Sequence, residues 1–213
     1  MTEANNTSAD YLSASGRVRR YPRKEIELCL LKNFLSPAEC DRLITLIDER
    51  RHPSTIADPN GDDYFRTSET CDLDHSDEFV AGIDARICEL ADIDPQFGEP
   101  LQGQRYAVGQ EFKPHTDFFD PHGQDYNQYC SVSGQRTWTF MIYLNEPAAG
   151  GATRFPQFKK SFTPETGTLL CWNNRNEDGS VNSWTLHHGM KVRSGTKYVI
   201  TKWYREKPWP WSG

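Results

Sequence analysis

The stretch Lys197–Tyr204, KYVITKWY, carries the most information about the fold. β-Branched and aromatic residues dominate it, which is typical of a β-strand. Because successive side chains of a strand point to opposite faces, one face would hold Lys197, Val199, Thr201 and Trp203. If that face is inward, an ammonium group lies among apolar side chains, and a buried charge needs a partner. The carboxylate of an organic acid would serve.

Similar short runs continue upstream to about residue 102, each followed by turn residues. They are QRYAVG (104–109), RTWTFMIYL (136–144), SFTPETGTLLCW (161–172) and SWTLHH (183–188). Several short strands at this spacing predict an all-β sandwich or barrel. The sequence therefore predicts a mainly β protein from about residue 101 to 206.

The residues before this β region predict a supporting layer. Residues 26–35 are expected to form a strand, and Ser36, Pro37 and Glu39 then supply a capping box and a proline suited to the first helical turn. Apolar periodicity predicts helices near 37–51 and 77–92, packed on the outside of the major sheet. The segment 52–75 between them is too polar for a core and predicts a hairpin or loop.

The overall composition excludes several classes of protein. The chain has 213 residues and a net charge of −6, which argues against a general nucleic-acid binder. No apolar run approaches the ~20 residues of a membrane span, and Met1–Asp10 lacks the apolar segment of a secretory signal. Six cysteines lie far apart with no CxxC pair, as expected of reduced thiols. We therefore expect a cytoplasmic protein with no nucleic-acid or membrane partner, and a single domain (25–213) after a flexible N-terminal arm (1–24).

One histidine motif indicates chemistry. His115-Thr116-Asp117 is a His-x-Asp motif, and on a strand its imidazole and carboxylate would share a face. A histidine from a later strand would complete the 2-His-1-carboxylate triad of non-haem Fe(II). The candidates are His187 and His188; adjacent strand residues face opposite ways, so only one of them would be the ligand.

These features resemble the 2-oxoglutarate and Fe(II)-dependent dioxygenases, and among them the prolyl 4-hydroxylase family. The resemblance runs over about residues 26–206, and the lysine in Gly195-x-Lys197 points to that branch. The other matching segments are Arg105–Gln110, Pro114–Asp117, Gly150–Pro156, Gly167–Trp172 and His187-x-Gly189. The implied fold is a double-stranded β-helix, or jelly roll, with flanking helices.

The resemblance also implies roles for individual residues. His115, Asp117 and His187 correspond to the iron ligands, and Lys197 to the partner of the distal 2-oxoglutarate carboxylate. Tyr106 and Thr153 match positions whose hydroxyls bind that carboxylate, and Arg136 and Trp203 match positions near the substrate and the co-substrate. The implied cofactors are Fe(II), 2-oxoglutarate, O2 and ascorbate as reductant, with succinate and CO2 as products of 2-oxoglutarate.

The implied substrate is a proline-containing peptide or protein. Two segments, about 58–71 and 118–135, are candidate lids, and their aromatic residues include Tyr64 and Tyr126. Aromatic grooves suit extended polyproline peptides, although flexible loops with incidental aromatic residues would have the same sequence. The competing functions are the same chemistry on a free amino acid, a small molecule or another protein residue, and a silent peptide-binding module. The sequence leaves the oligomeric state open.

Overall fold

The computed structural model describes residues 9–14, 16–54, 66–123 and 126–210. The α-helices in these ranges are α1 (Ala9–Ala14), α2 (Pro37–Arg50), α3 (Glu78–Ala91) and α4 (Tyr126–Cys130). The strands are β1 (Arg19–Arg20), β2 (Leu28–Leu31), β3 (His52–Pro53), β4 (Glu69–Asp72), β5 (Gln102–Tyr106), β6 (Phe112–His115), β7 (Arg136–Tyr143), β8 (Ala149–Gly150), β9 (Thr153–Phe155), β10 (Lys160–Phe162), β11 (Leu169–Asn173), β12 (His187–Gly189), β13 (Val192–Ser194) and β14 (Lys197–Arg205).

Two antiparallel sheets make up most of the fold. The large sheet has the order β1-β2-β11-β7-β14-β5-β4-β3, the small sheet has the order β10-β9-β12-β6, and β8 pairs with β13. Met141 and Leu170 of the large sheet share an apolar core with Phe155 and Phe162 of the small sheet. This arrangement of two sheets around a common core confirms the predicted mainly β jelly roll.

Strand β14 separates two cores, as the alternation of its residues predicts. Lys197, Val199, Thr201 and Trp203 line a pocket on the side of the small sheet. On the opposite face, Ile200 and Tyr204 belong to the core that includes the helices. The central strand therefore brings a lysine to the inner face, between the sheets, while its outer face holds the helical layer.

The two predicted helices form that outer layer. The capping box of α2 is present, since the Ser36 amide donates to Glu39 Oε2 at 2.7 Å and the Glu39 amide donates to Ser36 Oγ at 3.3 Å. Asp77 caps α3 by accepting from the Phe79 amide at 2.8 Å. Helix α2 packs closely on β5 at Gly103. A Cβ atom at this position would lie only 2.4 Å from the Ile47 side chain, so the contact requires glycine. Both helices are confirmed to within one residue at either end.

The structure differs from the sequence expectations in the N-terminal part. The strand predicted at 26–35 is limited to Leu28–Leu31, because the chain turns at Asn33, whose φ is 54°. Within the predicted N-terminal arm, α1 buries Ala9 and Leu12, and Arg19–Arg20 pair with β2. The described part of this arm is therefore anchored to the sheet through a few buried residues, Ala9, Leu12 and Val18, while most of its other residues are exposed. Within the described ranges, no helix combines the length and the apolar character that a membrane crossing requires.

Candidate metal and co-substrate site

Strand pairing brings the two histidines of the predicted triad together. In the small sheet, β12 is antiparallel to β6 and His187 is the direct cross-strand partner of His115. The two imidazole ring centroids are 4.2 Å apart. His115 also stacks on Phe112, with 3.4 Å between the ring centroids. The register of one strand pair thus accounts for the meeting of two residues that are far apart in the sequence.

Asp117 completes the group from just beyond the end of β6. Its Oδ1 lies 4.0 Å from His115 Nε2, and it is buried. Its Oδ2 accepts a hydrogen bond of 2.7 Å from Thr139 Oγ1, which itself accepts one of 2.9 Å from Asn174 Nδ2. One carboxylate oxygen is therefore held by the protein while the other faces the histidines.

The donor set fits a divalent iron ion. One ligand atom from each of His115, Asp117 and His187 lies within 4.8 Å of the others. Backbone carbonyls can only accept, so the contacts of His115 Nδ1 with Lys113 O (2.7 Å) and of His187 Nδ1 with Thr185 O (2.9 Å) place the proton on Nδ1 and leave Nε2 free. Burial, helped by the neighbouring His187, holds the pKa of His115 well below its usual value, which favours the neutral ligand form.

Lys197 lies in the same pocket as the triad. Its side chain is 2% exposed, and among the described residues no carboxylate or hydrogen-bond acceptor pairs with its ammonium group. The nearest rings belong to Tyr106 and Tyr143, whose centroids are 5.2 Å and 5.5 Å from Nζ. Burial alone lowers the pKa of Lys197 to about 7. Within the described ranges, the pocket therefore offers a buried amino group that is available to the carboxylate of a ligand.

Hydroxyl groups surround this end of the pocket. Tyr106 and Thr153 both line it, but their hydroxyls already have protein partners. Tyr106 Oη donates to Gln104 Oε1 at 3.0 Å, and Thr153 Oγ1 accepts from Tyr143 Oη at 2.8 Å. The hydroxyl proton of Thr153 stays available to a ligand, whereas Tyr106 would have to exchange one acceptor for another.

Trp203 and Arg136 meet at the other side of the pocket. Trp203 lines the pocket, and its buried indole Nε1 has no hydrogen-bond partner among the described residues. The guanidinium of Arg136 lies 4.0 Å from the Trp203 ring centroid and forms two hydrogen bonds of 2.7 and 2.8 Å with Glu99. Arg136 is therefore half-buried in an ion pair beside Trp203, rather than free at the pocket surface.

Neither His188 nor Tyr126 lines the pocket. His188 Nε2 contacts Glu111 Oε2 at 3.0 Å and is not part of the triad, so the geometry favours His187 of the adjacent pair. Tyr126 begins α4 and does not line the pocket. Tyr64 lies outside the described residues, as does most of the first candidate lid.

Sequence reasoning missed the residues that support the site from behind. Thr139, Asn174 and Tyr143 belong to no recognisable motif, and their partners are far away in the sequence. The alternation of β7 supplied one usable signal, since Thr139, Met141 and Tyr143 fall on the same face of that strand. Placing this face against the triad required the register between β7 and β14, which the sequence does not reveal.

Comparison with known proteins agrees with this geometry. Residues 101–205 match the sequence model of the 2OG-Fe(II) oxygenase superfamily. A putative prolyl 4-hydroxylase of Acanthamoeba polyphaga mimivirus is 27% identical over 84% of this chain and 74% of its own length. Prolyl 4-hydroxylase subunit alpha-1 of Homo sapiens is 31% identical over 82% of this chain, which spans only 34% of that subunit. The crystal structure of the viral collagen prolyl hydroxylase of Paramecium Bursaria Chlorella virus-1 in its 2OG complex has a TM-score of 0.67 and 28% identity, covering 84% of this chain and 95% of that one.

Proposed function

Since the chain belongs to the 2OG-Fe(II) oxygenase superfamily and to its prolyl 4-hydroxylase family, we propose that it hydroxylates a prolyl residue of a peptide or protein. The observation that carries this proposal is one pocket containing a 2-His-1-carboxylate group and a buried lysine with no described partner. The first feature suits Fe(II) and the second suits the far carboxylate of 2-oxoglutarate.

Different residues of the pocket are proposed to bind the metal ion and the co-substrate. His115, Asp117 and His187 would hold Fe(II), and bound Fe(II) with 2-oxoglutarate and O2 supplies the oxidising chemistry. Lys197 would pair with the distal carboxylate, and the Thr153 hydroxyl would donate to it. Burial of the pocket between the two sheets keeps water from the ion pair, which strengthens the electrostatic attraction.

The substrate surface is proposed around Trp203. Its ring is held by the guanidinium of Arg136, and its unpaired indole Nε1 can donate to a peptide carbonyl or to a co-substrate oxygen. Tyr64 and Tyr126 are proposed as aromatic contacts for an extended peptide, on sequence grounds alone. The residues 58–78 carry eight acidic side chains against the single base Arg66, so we expect a neutral or basic peptide to be preferred.

A product assay tests the proposal. The protein is incubated with Fe(II), 2-oxoglutarate, ascorbate and a panel of proline-rich peptides, including acidic and neutral versions of each. We expect peptide-dependent succinate formation and a mass gain of one oxygen atom on proline. Efficient oxidation of a free amino acid or small metabolite, with no modified peptide, would assign the same chemistry to a different substrate and reject the prolyl proposal.

The two adjacent histidines supply a matched pair of control variants. His187→Ala removes a proposed ligand and should abolish succinate formation, whereas His188→Ala removes only a contact with Glu111 and should retain it. The opposite outcome would move the ligand by one residue. Both variants are compared for Mn(II) binding, so that loss of the metal can be distinguished from loss of the fold.

The state of the cysteines supports a proposal about the compartment in which the protein works. All six are free, buried and without disulfide partners, which suits a reducing compartment such as the cytoplasm. Ascorbate is proposed as the reductant that keeps the iron ferrous between turnovers. Omission of ascorbate should shorten the linear phase of the assay without changing the initial rate.

A further inference from the structure

A second cavity opens between the two sheets, away from the triad. It lies where β1 and β2 of the large sheet face β10 of the small sheet, and its volume is about 260 Å³. The pocket that contains Lys197 measures about 30 Å³ on the same scale. We call the larger space the edge cavity. Its mouth residues have no role in the proposed function, so the cavity needs an explanation of its own.

The interior of the edge cavity is apolar and partly aromatic. Leu30 and the buried Phe162 line it, and Tyr143 forms the wall nearest the triad pocket. Tyr21 closes one side, with its ring 6.0 Å from that of Phe162 between centroids. Such an interior would accept a hydrocarbon or aromatic group, because transfer of apolar surface out of water is favourable.

The mouth of the edge cavity is basic, although the chain as a whole has a net charge of −6. It holds Arg19, Lys32 and Lys160 against a single acid, Glu165. Glu165 is already paired with Lys32 at 2.7 Å. Among the described residues no carboxylate pairs with Arg19 or Lys160, so two positive charges face the opening without a partner.

We propose that the edge cavity binds a small amphipathic carboxylate, with its apolar part against Phe162 and its charged group at Arg19 and Lys160. The spacing supports this arrangement, because Lys160 Nζ lies 5.6 Å from the centroid of the Phe162 ring. A carboxylate that meets the ammonium group thus has its attached chain directly over the apolar floor. The volume is just below the roughly 300–1,000 Å³ of typical ligand sites, which favours a ligand of the size of a medium-chain fatty acid.

The edge cavity is separate from the proposed 2-oxoglutarate site. Tyr143 stands between them, with its hydroxyl donating to Thr153 Oγ1 at 2.8 Å and to the carbonyl of Phe162 at 3.3 Å. Its ring also faces Lys197, 5.5 Å from Nζ. A ligand of the edge cavity should therefore bind while the triad pocket is filled, and this binding does not depend on the prolyl substrate.

Calorimetric titration of the protein saturated with Mn(II) and 2-oxoglutarate tests the proposal. Octanoate is the probe, and octan-1-ol and octylammonium are matched in chain length but not in charge. We expect octanoate to bind, the alcohol to bind about tenfold more weakly, and the cation not to bind. Absence of octanoate binding, or equal binding of all three, would overturn the proposal.

Three variants locate the site. Arg19→Ala/Lys160→Ala should raise the Kd for octanoate about tenfold, whereas Arg23→Ala/Lys24→Ala removes two nearby positive charges outside the cavity and should leave it within about twofold. Leu30→Trp fills the apolar interior and should abolish binding while the mouth charges stay in place. Equal effects of the two charge variants, or octanoate binding to Leu30→Trp at full affinity, would place the ligand elsewhere.

Discussion

At the residue scale, Lys197 is a buried basic residue whose charged form is disfavoured by its surroundings. It is buried among apolar and aromatic side chains, and burial lowers its pKa to about 7. In most folds a lysine in this position would be replaced by an apolar residue, because an unpaired buried charge is costly. Its presence is explained if a carboxylate ligand supplies the missing partner, so the protonation of Lys197 and the binding of that ligand should be linked.

The affinity for 2-oxoglutarate should therefore depend on pH in a defined direction. The free protein holds Lys197 with a pKa of about 7, and a bound carboxylate raises it. Below pH 7 the lysine is already charged and the Kd should be constant, whereas above pH 7 the Kd should rise by up to about tenfold per pH unit. Calorimetry with Mn(II)-loaded protein, in buffers of different ionisation enthalpy, should also detect proton uptake on binding.

Pyruvate is the matched control for this pH dependence. It has the keto acid that chelates the metal but no distal carboxylate, so its affinity should not change with the titration of Lys197. An identical pH dependence for pyruvate and 2-oxoglutarate would assign the proton to another group and would contradict the role of Lys197.

A second prediction at the residue scale concerns Thr139. Its hydroxyl donates to Asp117 Oδ2 and accepts from Asn174, which fixes one carboxylate oxygen and directs the other to the histidines. Thr139→Val removes the hydrogen bonds at nearly constant volume and should weaken Mn(II) binding by about 10–100-fold. Thr139→Ser restores the hydroxyl and should bind Mn(II) nearly as the original does; equal affinities for all three proteins would show that Asp117 needs no such support.

At the scale of elements, β14 serves both layers of the fold. Lys197 faces the co-substrate pocket, while Lys202, five residues further along the same strand, is fully buried on the helical side and pairs with Asp84 of α3 at 2.7 Å. The same residue type therefore has a described partner on one face and none on the other. This contrast distinguishes the structural lysine from the one available to a ligand.

The Lys202–Asp84 pair should connect β14 to α3 energetically. Lys202→Ala leaves the buried Asp84 carboxylate without its closest partner and should lower the free energy of unfolding by about 3–5 kcal/mol. The double variant Lys202→Met/Asp84→Leu removes both charges and should recover most of that loss. Denaturant unfolding of the three proteins measures the difference, and a double variant no more stable than Lys202→Ala would contradict an energetic pairing of the two residues.

Sequence patterns predicted elements well where the signal is local. The cap residues Ser36 and Glu39 predicted the start of α2, and the alternation along β14 predicted which side chains face inward. Sequence patterns did not predict the ion pair between Arg136 and Glu99, which lie 37 residues apart. These two residues meet because β7 pairs with β14 and the chain before β5 folds back onto β14. The supporting layer of the site depends on strand register, whereas the ligand residues belong to short motifs.

At the scale of the whole molecule, the distribution of cysteines bears on the compartment in which the protein works. Cys29 and Cys171 are direct cross-strand partners on β2 and β11, whereas the other four occur in separate elements. All six are buried, and none is more than 7% exposed. The two sheets and the helical layer thus enclose every thiol, and no disulfide contributes to the stability of the fold.

We therefore expect the fold to protect the thiols from chemical modification, and all of them to become reactive together when the protein unfolds. Thiolates are the reactive form, and burial raises the pKa of Cys40 to about 11 and that of Cys71 and Cys88 above the usual value. The native protein should react very slowly with Ellman's reagent, and six thiols should titrate after unfolding in guanidinium without reductant. A count of four thiols in unfolded protein purified without reductant would reveal a disulfide, with Cys29–Cys171 as the first candidate. The variant Cys29→Ser would then have five reactive thiols.

A full count of six thiols, with a melting temperature independent of dithiothreitol, would support a fold suited to a reducing compartment, where iron is also more readily kept ferrous.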